Sequence, residues 1–109
     1  GDVYKRQMQN DIDVNAMVTN AESAAKWLKA IANPYRLMIL CLLLDKELSV
    51  TELNATVPLS QSALSQHLAV LRAEDLVDTR KSSQIVYYKL KNEQVTQVIS
   101  ILHSRYCAV

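Results

Sequence analysis

Glycine and proline are almost missing from this 109-residue chain, which has one Gly, at position 1, and two Pro. Without internal glycine there is no phosphate-cradling loop, and most glycine-dependent tight turns are excluded. Excess charge of either sign is missing too: 12 Lys and Arg face 11 Asp and Glu, a formal net charge of +1. A domain-wide basic footprint for nucleic acid is therefore absent, although a local one is not excluded. The two cysteines, Cys41 and Cys107, are too sparse for a disulfide scaffold, and no Cys-x-x-Cys pair marks a thiol redox enzyme. The longest apolar run, Leu37 to Leu44, is too short to span a bilayer. No secretory signal pattern is visible, so the cytoplasm is the expected location and no membrane partner is expected.

What is present is apolar and helix-forming. Half the residues are hydrophobic, enough for one domain with a modest core. Residues 1–12, beginning "GDVYKRQ", lack apolar periodicity and read as a disordered or non-native leader; residues 13–109 read as the domain. Val14, Met17, Val18, Ala21, Ala24, Ala25, Leu28 and Ile31 recur at helical steps and predict a first helix from about Asp13 to Ala32. Asn33 and Pro34 suit the cap and first turn of a second, which continues through the apolar "LMILCLLL". Ser49 and Glu52 have capping-box spacing for a short third helix to about Thr56, and Pro58 stops it. Ser60 caps a fourth. "LVDTRKSSQIVYYKL" then changes period and predicts a two-stranded hairpin with "KSSQ" at its tip. Asn92 caps a last helix. The expected fold is mainly α with a small β-hairpin: a winged helix-turn-helix.

The fourth helix, "SQSALSQHLAVLR", is polar but nearly free of charge. At helical steps Leu64, Leu68 and Leu71 form one stripe, with Ser62 and Gln66 nearly opposite. Amide and hydroxyl side chains donate and accept across base edges, whereas Glu repels phosphate. The helix N-terminus favours a phosphate oxygen, and at ~1.5 Å per residue two turns cover about 10 Å of groove. Ser60, Gln61, Ser62, Ser65, Gln66 and His67 are the candidate DNA contacts, with Arg80 and Lys81 of the hairpin for phosphate. A merely solvated polar face remains the alternative, and for His67 a ring packed at the core edge. Residues 60–84 set Arg72, Arg80 and Lys81 against Glu74, Asp75 and Asp78, so one copy would hold DNA weakly. Two copies related by symmetry would double the phosphate contacts and require a pseudo-palindromic double-stranded site.

"LKAIANPYRLMILCLLL", "ELSVTEL", "LSQSALSQHLAVLRAEDLV" and "TRKSSQIVYYKL" together resemble the ArsR/SmtB family of winged-helix transcriptional regulators, within it the HlyU-like branch with its BigR- and SqrR-type members. The resemblance implies a homodimer with helices at both termini forming the interface; Trp27, Leu28, Val95, Val98, Ile99 and Leu102 are the expected seam. It also implies a regulator whose DNA affinity responds to an inducer. Metal-sensing members carry a "CVC"-like pair where this chain has Ser49 and Thr51, and neither is a soft ligand. The last helix adds only His103, so no metal and no cofactor are expected. Taken alone, Cys41 reads as a small core hydrophobe and Cys107 as a cysteine near a loose end. The resemblance implies instead that they form a redox sensor switched by an oxidant or reactive sulfur. The alternatives are a metal-responsive repressor and a winged-helix module that binds protein and not DNA.

Overall fold

Local capping divides the helical part of the chain where the sequence predicts. The computed structural model describes residues 12–107; apart from Ile12, the expected leader lies outside the described residues. Helix α1 spans Val14–Ile31, with the Asp13 side chain accepting from the Ala16 amide. Helix α2, Pro34–Leu42, starts with Asn33 Oδ1 accepting from the amides of Tyr35 and Arg36. A two-residue strand β1, Leu48–Ser49, leads into helix α3, Val50–Asn54. Ser49 Oγ accepts from the Glu52 amide at 3.2 Å and Glu52 Oε1 accepts from the Ser49 amide at 2.9 Å, the reciprocal capping box. Helix α4 is Gln61–Ala73. Strands β2, Val77–Ser82, and β3, Ile85–Leu90, precede helix α5, Glu93–Leu102, which Asn92 caps.

Two features depart from the sequence reading. The hairpin is part of a three-stranded antiparallel sheet ordered β1-β3-β2, because Leu48 and Ser49 pair with Tyr88 and Tyr87. The last helix also changes winding: His103–Cys107 form a π-helical turn beyond α5. Its wider i→i+5 ring turns the chain less per residue. Cys107 therefore falls back toward the line of buried Ile99 and does not drift to the outer face.

The core gathers the inward side of every element. Ile39, Leu40 and Leu43 of α2 and its end meet Leu53 of α3, Leu64, Leu68 and Leu71 of α4, and Val95 and Ile99 of α5. Leu76 and Val77 carry the core to the sheet. Helix α1 joins it only through its C-terminal end, at Ala30 and Ile31, with Trp27 half-buried against it. With no glycine to turn on, the corners fall to residues with side chains: Asp45, Asp75 and Ser83 have φ of 60°, 57° and 56°. Ser83 stands at the wing tip, between Ser82 and Ile85 of paired strands, where primed two-residue turns require positive φ. Among the described residues, no helix is long and apolar enough to cross a membrane.

Candidate nucleic-acid interface and thiol cavity

The buried leucines of α4 fix what the helix presents. Leu64, Leu68 and Leu71 are fully enclosed, and Gln61, Ser62, Ser65 and Gln66 are exposed on the other side. Ser60, also exposed, accepts from the Ala63 amide at 3.2 Å and lies 3.4 Å from the Ser62 hydroxyl. The first-turn amides of Gln61 and Ser62 have no acceptor within the helix. Five exposed positions thus offer hydroxyls, carboxamides and free amides, with no carboxylate among them.

His67 does not belong to that face. Its place beside the leucine stripe half-buries it and turns the ring toward α2. Its Nδ1 lies 3.3 Å from Arg36 Nη1, and its ring centroid is 6.0 Å from that of Tyr35. Where a DNA contact is expected at His67, the ring thus has a contact inside the subunit through Nδ1.

On the wing, Arg80 and Lys81 are exposed, opposite Tyr87 and Val86 of β3. Arg80 is nonetheless engaged: its Nε lies 3.0 Å from Glu47 Oε2, and its guanidinium stacks 4.8 Å from the Tyr87 ring centre. Glu47 lies outside the 60–84 stretch of the charge tally, so the sequence reading missed this acid. Only Nε is used, leaving the terminal nitrogens of Arg80 free for a further acceptor.

The second site is a cavity of about 270 Å³ between α2 and the π-helical turn, lined by Met38, Cys41, Leu42, Thr56, His103 and Cys107. Both cysteines are free, half-buried thiols. Burial, then a hydrogen bond that the Cys41 thiol donates to Cys107 and the negative charge of Cys107, push the Cys41 thiol up to about 12. Cys41 is thus held as a protonated thiol beside its partner. His103, considered in the sequence only as a lone metal ligand, shares the wall with both. Ser49 and Thr51 lie elsewhere, with the Ser49 hydroxyl committed to its helix cap. Among the described residues, no three His, Cys, Asp or Glu side chains cluster as a metal would need.

The terminal helices require a correction. Val95 is 2% exposed and Ile99 is 0%, so both face the subunit's own core and have no surface for a partner. Val98 and Leu102 are half-buried against the same core. Leu28 of the expected seam does stand exposed, and the apolar surface around it lies on Val14, Met17 and Val18 of α1 and on Ile101 and Tyr106 near the C-terminus, all at least half exposed.

Comparison with known proteins places this arrangement. Residues 33–79 match the bacterial regulatory protein family arsR. The chain is 52% identical over 96 residues to the transcriptional activator HlyU of Vibrio cholerae, covering 88% of this chain and 89% of that one. It is 39% identical over 98 residues to the biofilm growth-associated repressor of Agrobacterium fabrum, covering 90% and 84%. The solved structure of reduced HlyU from Vibrio cholerae superposes with a TM-score of 0.78 at 54% identity, over 84% of this chain and 97% of that one.

Proposed function

Because the chain belongs to the ArsR family of bacterial regulatory proteins, and is a winged-helix transcriptional regulator of the HlyU type, we propose that it binds DNA as a homodimer whose affinity a cysteine pair switches. One observation carries the DNA-facing part: the outward side of α4 is a run of exposed Gln and Ser on a leucine-anchored helix. Gln61, Ser62, Ser65 and Gln66 read base edges in the major groove, and Ser60 and the helix N-terminus meet phosphate. Arg80 and Lys81 take the flanking backbone. The exposed stripe of α1, with Ile101 and Tyr106, forms the dimer seam. The two-fold axis then calls for a pseudo-palindromic duplex with half-sites about one helical turn apart.

Switching rests on the shared cavity of Cys41 and Cys107. A hydroperoxide or diamide accepts two electrons and two protons from the thiols, and one S–S bond replaces two S–H bonds; with a polysulfide such as hydrogen trisulfide as the oxidant its own S–S bonds break, one of its sulfurs stays between the two cysteine sulfurs, and the rest leave as hydrogen sulfide with the thiol protons. The closed loop stabilises the folded chain by roughly 4 kcal/mol by the chain-entropy estimate, and the short Cα–Cα distance that the bond demands favours a second packing of α5 on α2. That packing shifts the α4 pair and weakens DNA binding. The test is fluorescence anisotropy on a duplex selected from fragmented genomic DNA, with reduced and diamide-treated protein. Reduced protein should bind with a steep salt dependence. Equal affinity in both states, with the Cys41–Cys107 bond confirmed by mass spectrometry, would dismiss the switch. Absence of salt-dependent binding would favour the protein-interaction module.

A further inference from the structure

Arg36 sits where the proposed dimer helix, α2 and the proposed recognition helix meet. Its Nε donates to the Ala30 carbonyl at 2.6 Å and its Nη2 to the Lys29 carbonyl at 3.3 Å. Those carbonyls lie in the last turn of α1, where they have no N–H donor from the helix itself and favour a cation. The remaining nitrogen, Nη1, points at His67 Nδ1, 3.3 Å away on α4. A guanidinium has donors only, so Nδ1 is the acceptor and the ring is neutral, with its proton on Nε2. Tyr35 flanks the imidazole. A second tie between α1 and α4, Lys26 to Glu74 at 3.4 Å, is weaker because the Lys26 side chain is 76% exposed.

We infer that Arg36 is a positioning residue for operator binding: it holds α4 against the end of α1 through neutral His67, and protonation of His67 releases that hold and weakens DNA binding. The inference rests on α4 being the DNA-facing helix and α1 the dimer helix, as proposed above. Protonation removes the only lone pair that Nη1 can use and sets two cations side by side. No nearby acid offsets the repulsion. Among the described residues no carboxylate lies within 4.0 Å of the imidazole. Of the charged groups on elements packed against α4, Arg36 and Tyr35 of α2 face His67 directly. Lys26 of α1 is paired with Glu74. On α3, Glu52 is bound in its capping box. On β2, Asp78 accepts from the Thr79 amide and Arg80 is paired with Glu47. Each half-site carries one such joint, so about a threefold loss per copy becomes about tenfold for the dimer.

The experiment measures anisotropy of a labelled duplex selected by the reduced protein at pH 8, titrated at constant ionic strength from about pH 8 to about pH 5.5, the range in which histidine changes charge. Wild-type affinity should fall about tenfold on acidification. His67→Asn keeps an acceptor near the place of Nδ1 but cannot titrate, so its profile should be flat; His103→Asn, at the only other histidine, should keep the wild-type slope. Arg36→Lys keeps the charge but loses the fork that reaches three acceptors, and should bind about tenfold more weakly at pH 8 with a shallower slope. Affinity that rises on acidification would mean that protonated His67 meets phosphate and would overturn the inference. So would a slope that survives in His67→Asn. Should Arg36→Lys prove unfolded by circular dichroism, the His67→Asn profile decides. Failure to select any duplex would instead sink the DNA reading. The Arg36 Nη1 amino-proton resonance would then judge the joint alone: slow exchange at pH 8, lost on acidification in the wild type but not in His67→Asn, supports it, and fast exchange throughout overturns it.

Discussion

Helices α1 and α4 each expose a long face, and the two faces have opposite chemistry. On α4 the outward residues are Gln61, Ser62, Ser65 and Gln66, small or amide-bearing and uncharged. On α1 they include Val14 and, three, four and fourteen residues further along one stripe, Met17, Val18 and Leu28. A groove full of water and base edges suits the first, because each lost water contact is replaced by a hydrogen bond. A second apolar surface suits the second, because four large side chains left half in water carry a standing cost. Burial explains why the faces coexist: α4 is anchored along its whole length by buried leucines, whereas α1 touches the core only near Ala30 and Ile31.

The sharpest way to break this contrast is to charge the apolar stripe. Met17→Asp with Leu28→Asp should convert dimer to monomer in sedimentation equilibrium, since removing four buried side chains per dimer costs about 6 kcal/mol or more. An unchanged mass would show that the seam lies elsewhere. Charging the polar face is the complementary experiment. Ser62→Glu with Gln66→Glu should lower duplex affinity more than about a hundredfold, by repulsion of phosphate and loss of base contacts, while leaving the dimer mass alone. A loss of mass with retained DNA binding would exchange the roles of the two faces.

A smaller effect is expected at Cys41, in the cavity between α2 and the π-helical turn. Its folded thiol titrates at about 12 against an ordinary 9.0, so above pH 9.0 the unfolded chain gives up this proton while the folded one keeps it. The native state then binds more protons, and its stability falls as pH rises through that window. The urea midpoint should drop between pH 8 and pH 10 by more in the wild type than in Cys41→Ala; equal drops would refute the burial effect. Smallest is Glu47→Gln. Freeing Arg80 from its exposed pair should raise DNA affinity about threefold, in keeping with the modest worth of surface ion pairs. No gain, or a loss, would mean that Glu47 helps to aim Arg80.

Every helix start was legible in the sequence because a cap is a local event. Asn33, Ser49 with Glu52, Ser60 and Asn92 each bond an amide two or three residues away, so spacing alone reveals them. The polar side of α4 was legible for the same reason, from the leucines opposite it. Strand β1 was not: two residues have no period, and its partner β3 lies far along the chain. The Arg36–His67 and Arg80–Glu47 contacts join residues 31 and 33 positions apart, and no local pattern announces them. The apolar periodicity of α5 identified Val95 and Ile99 correctly as one side of a helix. It carried no sign of whether that side meets its own core or a second chain. The π-helical turn also had no signal, since "HSRYC" has nothing in its composition to widen a helix.

The serine at the wing tip has one more consequence. Ser83 holds a left-handed conformation that costs a residue with a Cβ roughly 1 kcal/mol and that glycine would adopt freely. A glycine tip would sample many shapes; a serine tip has fewer. The loop therefore has less conformational freedom to surrender on docking than a glycine tip would have.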